Sequence, residues 1–512
     1  MMEVSWQELR LALMEVSWRE LGLALTEVSW QELGLALLRR ISQFVLVYFV
    51  VLNTLTLFQV LLGFHTTRRS AALVHNQDLR MLMQSPLMPP VSIIVPAYNE
   101  VANVVETVQS LLGLRYPCFE VMVVNDGSVD ATLDRLIERF DMHAVGRGFE
   151  DRVPCKPIRT IYESRRFPNL VVVDKDNGGK GDALNAGLNV SRYPLFCAMD
   201  GDSVLEEDAL LRVVGPFQEY PDTMVATGGT IRIANGSILR AGRLVEVALS
   251  RALLPRIQVV EYLRAFLFGR MGWASLGGLL VISGAFGVFQ KRAVIDAGGY
   301  ATDSVGEDME LVVRMHRSLR QRKQPYRIGF VPEPVCWTEA PSKLAVLRRQ
   351  RMRWQRGLID SLERHREMIG NPRYGAIGLL AMPFYLIFEM LGPVVELIGF
   401  VAVPVSYALG ALDLQVMHAF FASAVLYGVI VSLVAVLLDD IAFRRYRGAA
   451  ELLALTSAAI VEAVTLRPLT AAWRVGAFWK HFRRDFSWGQ MEREGLGTPS
   501  QDLPSVAKAR GG

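Results

Sequence analysis

Polar and apolar positions change their period several times along this 512-residue chain, and each change predicts a different element. At the start, a unit close to Met-Glu-Val-Ser-Trp-Gln-Glu-Leu-Gly-Leu-Ala-Leu recurs as Met2–Leu13, Met14–Leu25 and Thr26–Leu37. Ser5/Glu8, Ser17/Glu20 and Ser29/Glu32 have capping-box spacing, so each unit can begin a helix. Trp and Leu on short helices suit a membrane interface. A duplication without function is the simpler reading of residues 1–40, because units this few and short build no solenoid. Acidic residues interrupt every apolar run there, which argues against a signal peptide.

Ile41–Phe64 is apolar over a length that crosses a bilayer, with Arg39–Arg40 before it and Arg68–Arg69 after it. Residues 65–90, with Pro86, Pro89 and Pro90, read as a polar linker. Short β-branched runs then alternate with helical patterns: Val91–Pro96, Val121–Val124, Leu170–Val173 and Leu195–Met199. This alternation predicts an α/β domain over 91–340, with function at the C-terminal ends of its strands. A basic stretch over 341–371 follows, and beyond Asn371 the chain turns apolar again. As one helix, Ala376–Leu409 would be about 51 Å long against a hydrocarbon core of about 30 Å. Pro383, Pro393 and Pro404 interrupt it, so an interfacial helix plus a crossing, or a hairpin, is expected. Val416–Leu438 reads as a clean crossing, and Ala449–Leu466 as a weaker one carrying Glu451 and Glu462.

With the α/β domain and the basic tail (471–512; Lys480, Arg483, Arg484) on one side, an even number of crossings separates them. Two crossings are expected. They keep Arg444, Arg445 and Arg447 inside and leave Ala449–Leu466 interfacial or re-entrant, whereas four would place those arginines outside. Glu389 and Glu396 share a helix face if the helix continues through Pro393; such acids line a polar path or pair with a partner.

Composition adds little beyond segregation. Hydrophobic residues make up 51% and charged residues 21%, so apolar excess and polar middle occupy different segments. A net charge of +4 is small for this length and gives no reason to expect nucleic acid. Cys118, Cys155, Cys197 and Cys336 form no C-x-x-C pair, which fits a reducing, cytoplasmic middle without a zinc site or disulfide framework.

Chemistry concentrates in a few stretches. Asp200-Gly-Asp202 ends the strand Leu195–Met199, where two carboxylates can share a divalent cation that neutralises a diphosphate; a bare D-x-D is otherwise an ordinary turn. Asp126, in Asn-Asp-Gly-Ser after Val121–Val124, can hydrogen-bond a base or ribose, or merely cap the next helix. Lys180 follows paired glycines at a helix start, a cation and N–H groups for phosphate, without Walker A spacing. Glu307 and Asp308 open a helical run, and Asp308 is either a cap or a general base for an acceptor hydroxyl. Gln350, Arg353 and Trp354 fall on one helix face, suited to a sugar beside a diphosphate, or to anionic lipid heads.

In this order, these residues resemble the membrane-embedded processive glycosyltransferases of family 2, the group of cellulose, hyaluronan, chitin and poly-N-acetylglucosamine synthases. The resemblance runs from Val91 to Gly357 and extends to the flanking apolar segments by arrangement. It implies an α/β GT-A glycosyltransferase domain inserted between transmembrane α-helical segments, cytoplasmic on a multi-pass protein of the plasma (inner) membrane. By that resemblance Pro96, Tyr98, Glu100, Asp126, Lys180 and Asp200 would hold uridine diphosphate. Asp202, with Asp200, would ligand Mg²⁺ or Mn²⁺, and Asp308, with Glu307 beside it, would be the base. Gln350, Arg353 and Trp354 would hold the donor diphosphate and the acceptor, and Ser283 and Gly284 would line the acceptor site. Direct displacement would invert an α-linked donor to a β-linked product.

The third motif, often Thr-Glu-Asp in cellulose synthases, reads Gly306-Glu-Asp here, closer to the aminosugar-polymer branch or to uncharacterised exopolysaccharide synthases. Trp488-Gly489-Gln490 resembles the start of a gating loop; the Thr-Arg that usually follows is absent, and Arg493 is the nearest arginine. Expected partners are a UDP-sugar (UDP-N-acetylglucosamine or UDP-glucose), a growing glycan and membrane lipids, with no nucleic acid and any export partner unidentified. The alternative is single addition to a lipid acceptor, since ceramide glucosyltransferases resemble the same motif set. A degenerate, non-enzymatic scaffold is opposed by the intact acidic motifs. A Rossmann dehydrogenase is opposed by the missing G-x-G-x-x-G after the first strand.

Overall fold

The β-branched runs pair edge to edge in a computed structural model that describes residues 30–75, 83, 85, 88–240, 243–443 and 448–483. Residues 1–29, Arg444, Arg445, Arg447, Trp488 and Gly489 lie outside the described residues, and with them most of the repeat and the gating segment.

The strands are β1 (Val91–Ala97), β2 (Phe119–Asp126), β3 (Met142–Val145), β4 (Ile158–Ser164), β5 (Leu170–Lys175) and β6 (Leu195–Met199). They continue with β7 (Val204–Leu205), β8 (Met224–Ile233), β9 (Ile238–Arg240), β10 (Arg243–Glu246), β11 (Phe286–Gln290) and β12 (Arg327–Thr338). Ten of them form one sheet in the order β3-β4-β5-β2-β1-β6-β11-β8-β12-β7, while β9 and β10 make a separate ribbon. β5, β2, β1 and β6 run parallel, which explains their nearly continuous apolar character: both faces are covered. β11 enters antiparallel between β6 and β8. The result is a mixed α/β sheet, and its domain lies in sequence between long apolar helices, as anticipated above. The parallel strands end together, so Ala97, Asp126, Lys175 and Met199 deliver their following loops to one edge.

Among the described residues, four helices are long and apolar enough to cross a membrane: Trp30–Arg69, Ile377–Ala408, Leu414–Phe443 and Ala449–Phe482. The first belongs to a helix that continues to His75, well into the stretch read as a linker. Ile377–Ala408 is not a hairpin. It stays helical through π turns at Ile377–Ala381 and Tyr385–Met390 and a bend at Leu391. The bend falls two residues before Pro393 and the first π turn just before Pro383, so the helix absorbs each proline by local rewinding. Ala449–Phe482 likewise rewinds at Glu462–Leu466, ahead of Pro468.

Contacts orient these helices against the sheet. Arg39 Nε donates to the Ala411 carbonyl (3.0 Å) and Ser42 meets Ser406 (3.2 Å), so those ends lie together. At the opposite end, a Cβ on Gly63 would stand 2.2 Å from the Phe268 carbonyl, and Asp439 pairs with Arg232 of β8 at 2.5 Å. Ala449–Phe482 differs from the others. Glu462 pairs with Arg264 (2.7 Å) and His481 reaches Glu363 (3.0 Å), so it keeps returning to elements on the sheet side.

Candidate active site

β6 ends at Asp200-Gly-Asp202, and the turn is held by Thr107 Oγ1, which donates to the Gly201 carbonyl (2.7 Å). The Pro96 carbonyl lies 3.5 Å from where a Cβ on Gly201 would stand, so the turn packs against the end of β1. Lys180 opens the helix Lys180–Val190 and reaches across to Asp200 (2.6 Å) and Glu307 (3.2 Å). Burial alone would favour neutral Lys180, but Asp200, Glu307 and Asp308 outweigh it and hold the ammonium well above the usual lysine range. Burial pushes Glu307 up, and Lys180 offsets part of that rise.

Asp308 stands at the start of the helix Glu307–Gln321. Its Oδ2 accepts the Gly284 N–H (2.9 Å) and its Oδ1 accepts the Met309 N–H (2.8 Å). A Cβ on Gly284 would displace the lysine from its partners, since it would lie 2.6 Å from Lys180 Nζ and 3.5 Å from Asp308 Oδ2. Ser283-Gly284 thus lets the lysine and the carboxylate converge.

The helix Leu344–Arg364 carries Gln350, Arg353 and Trp354. Gln350 Oε1 is buried and accepts no hydrogen bond among the described residues. The Trp354 ring lies 5.7 Å from that of Phe266, and Arg351 sits over Trp354 at 4.5 Å while pairing with Glu261 at 2.6 Å. This helix is joined to the one bearing Asp308. A Cβ on Gly306 would fall 2.7 Å from Gly357 Cα, and Ser304 Oγ donates to Asp360 Oδ2 (2.6 Å). Gly306 therefore has a packing reason, independent of any substrate.

One cavity of about 850 Å³ joins these parts. It is lined by Lys180, Asp200, Asp202, Ser283, Gly284, Glu307 and Asp308, and by Gln350, Arg353 and Trp354. Its lining continues between the apolar helices to Asn53, Glu389, Glu396, Glu462 and Arg467. There Glu396 pairs with Arg467 (2.8 Å), and Arg474 donates to Gln355 (2.7 Å) while lying 3.4 Å from Glu389. Both glutamates are paired, and both line the cavity.

The cavity does not take in every residue singled out. Pro96, Tyr98, Glu100 and Asp126 lie outside its lining. Tyr98 is half exposed on a loop latched to the Asp126 turn, with the Asn99 N–H donating to Ser128 Oγ (3.0 Å) and the Glu100 N–H to Thr132 Oγ1 (2.9 Å). Asp126 is held within the fold. Its carboxylate accepts Lys175 Nζ (2.6 Å) and the N–H groups of Gly178 (3.0 Å) and Gly179 (2.8 Å). Lys175 also pairs with Asp182 (2.6 Å). Asp126 thus fixes the glycine loop that presents Lys180. Lys175 went unremarked in the sequence, since a strand-end lysine gains meaning only once distant carboxylates enclose it.

Asp200 and Asp202 are two hard oxygen donors on one turn facing the cavity. Among the described residues, no group of three or more His, Cys, Asp or Glu could hold a metal by itself. That donor set fits Mg²⁺ or Mn²⁺ bound by one or two carboxylates with substrate phosphates and water completing the shell.

Comparison with known proteins follows the same lines. The family model described as "Glycosyl transferase family group 2" matches residues 195–436, and "Glycosyl transferase family 2" matches residues 92–147. A curated poly-beta-1,6-N-acetyl-D-glucosamine synthase of Staphylococcus epidermidis is 27% identical over 283 residues, 55% of this chain and 58% of that protein. The synthase of the same name from Staphylococcus aureus (strain COL) is 28% identical over 270 residues, 52% of this chain and 54% of that protein. The chain thus spans a little over half the length of these curated relatives. Among solved structures, mannosyltransferase PcManGT from Pyrobaculum calidifontis, with GDP-Man and Mn²⁺, matches at 17% identity and a TM-score of 0.46. That match covers 81% of this chain and 99% of that one.

Proposed function

Since the chain belongs to glycosyltransferase family 2, we propose that it extends a β-linked polysaccharide from a UDP-sugar and passes the product across the membrane. The observation that carries this reading is the single cavity running from Lys180 and Asp308, past Trp354, to Glu396 and Arg467 among the apolar helices. A growing chain of sugars needs such an exit, and paired charges with aromatic walls suit an uncharged glycan. The curated relatives are named for a polymer of N-acetylglucosamine, which favours UDP-N-acetylglucosamine over UDP-glucose.

In this mechanism Lys180, Gln350 and Arg353 bind the donor diphosphate, and Trp354 stacks on the acceptor sugar. Asp308, aimed by the Gly284 N–H, takes the proton of the acceptor hydroxyl as that oxygen attacks the anomeric carbon opposite the departing diphosphate. The configuration inverts. Glu307 faces Lys180, so it holds the lysine charged rather than acting on the acceptor. Pro96, Tyr98 and Glu100 border the nucleotide end, and Asp126 serves it through the glycine loop. A divalent cation held by Asp200 and Asp202 would neutralise charge building on the leaving diphosphate. Incubating the purified protein with a panel of UDP-sugars and Mg²⁺ should release UDP fastest from UDP-N-acetylglucosamine, and chelation should stop it. Equal turnover in excess EDTA would remove the metal from the account.

The contacts above support a multi-pass protein of the inner membrane with two crossings after a cytoplasmic α/β domain. Ile377–Ala408 leaves the sheet side, Leu414–Phe443 returns to it at Asp439, and Ala449–Phe482 lies along the boundary. An impermeant maleimide, used on a background lacking the native cysteines, should label Leu409→Cys in intact cells and Gly448→Cys only after permeabilisation. Labelling of Gly448→Cys from outside would sink the two-crossing topology.

A further inference from the structure

Besides Arg353, five buried or half-buried arginines line the cavity: Arg264, Arg270, Arg351, Arg467 and Arg474. Four of them face carboxylates: Arg264 faces Glu462, Arg351 Glu261, Arg467 Glu396 and Arg474 Glu389. Arg270 does not. It is only 7% exposed, and its Nη1 has no hydrogen-bond partner among the described residues. No sequence motif singles it out.

A buried guanidinium nitrogen without a partner is uncommon, because the desolvation of a charged donor has to be offset. Its placement gives the reason. The helix Leu253–Glu261 continues as a π turn over Tyr262–Gly269 and then as Arg270–Ser275. The Tyr262 and Phe266 rings meet at 4.2 Å, and Arg270 lies 4.2 Å over the Phe266 ring. Phe266 in turn approaches Trp354, and Trp273 approaches Tyr385 at 6.1 Å; all four of these rings line the same cavity as Arg270. π turns recur at functional sites because they re-aim side chains. Aromatic faces suit the C–H faces of a pyranose, and an N–H among them suits one of its oxygens.

We propose that Arg270 is an acceptor-binding residue, the cavity-facing edge of its guanidinium donating to a hydroxyl or acetamido oxygen of the sugar lying on this aromatic wall near Asp308. The inference rests on the polymerase reading and adds a subsite to it. The bound oxygen is uncharged. The nearby carboxylates would repel an acidic sugar, and the donor diphosphate has Lys180 and Arg353 for its charge.

The test uses full-length protein in detergent with UDP-N-acetylglucosamine, Mg²⁺ and a short β-linked N-acetylglucosamine oligomer as acceptor. Arg270→Met should raise the acceptor KM and lower polymerising kcat/KM by about 10- to 100-fold, the loss of one charged hydrogen bond. Donor KM and acceptor-free UDP release should stay within about twofold, because the donor site is untouched. Arg270→Lys, which keeps the charge, should recover part of the acceptor affinity; it carries the test if the Met variant fails to fold. An unchanged acceptor KM in the Lys and Met variants, or a donor KM that rises in step with the loss, would overturn the assignment. If the wild type added only one sugar to a lipid, the polymer reading would fall, and the same KM comparison with that lipid would still decide Arg270.

Discussion

Asp308→Asn should lower sugar transfer by about 10²- to 10⁴-fold while leaving the protein folded and able to bind donor. The amide keeps the shape of the side chain and can still accept the Gly284 and Met309 N–H groups through its single oxygen only in part. What it loses is the capacity to take a proton from the acceptor hydroxyl. Donor binding depends on Lys180 and the Asp200-Asp202 turn, so the donor KM should stay nearly constant while kcat collapses. Steady-state UDP release with acceptor, alongside donor binding by calorimetry, separates these effects. A variant retaining more than about a tenth of wild-type kcat would exclude Asp308 as the base.

Gly306→Thr should be nearly as damaging, although it restores the residue found in cellulose synthases. The backbone at Gly306 has φ −129°, which any residue adopts, so space alone decides. A Cβ there meets Gly357 Cα at 2.7 Å, and the reciprocal Cβ on Gly357 meets Gly306 Cα at 2.8 Å. Backbone atoms cannot step aside as a side chain can. The helix bearing Asp308 and the helix bearing Trp354 must then separate, at a cost of about 1–3 kcal/mol in stability. A misplacement near 1 Å between base and acceptor platform costs about 100-fold in rate. We expect a lower melting temperature and a fall in kcat of about that size, read by differential scanning fluorimetry and turnover. Activity within about twofold of wild type would show that the two helices are not coupled through this contact.

Much of the site was legible because its residues sit at strand ends and on one helix face. Asp200, Asp202, Lys180 and Asp308 meet in one cavity, as do Gln350, Arg353 and Trp354. Asp126 was not legible in the same way. Its partners, Lys175 and the Gly178 and Gly179 amides, come from a loop some fifty residues on, and sequence spacing gives no hint of that closure. Gly306, which the motif places nearer the aminosugar-polymer branch, also packs against Gly357, a contact that spacing alone does not reveal. The apolar segments were located well and their continuity poorly, since a proline predicts a break and says nothing of a π turn that accommodates it. Arg270 was invisible, because an isolated arginine in an apolar run gains meaning only from the rings around it.

Product length tests the central claim most directly. Purified protein in detergent or nanodiscs, given UDP-N-acetylglucosamine and Mg²⁺, would be sampled through the first turnovers and its products sized by mass spectrometry and gel. The account predicts long β-linked chains while most acceptor is still unextended, because the chain end stays in the cavity between additions. A product of fixed mass, one sugar on a lipid however long the incubation, would contradict it.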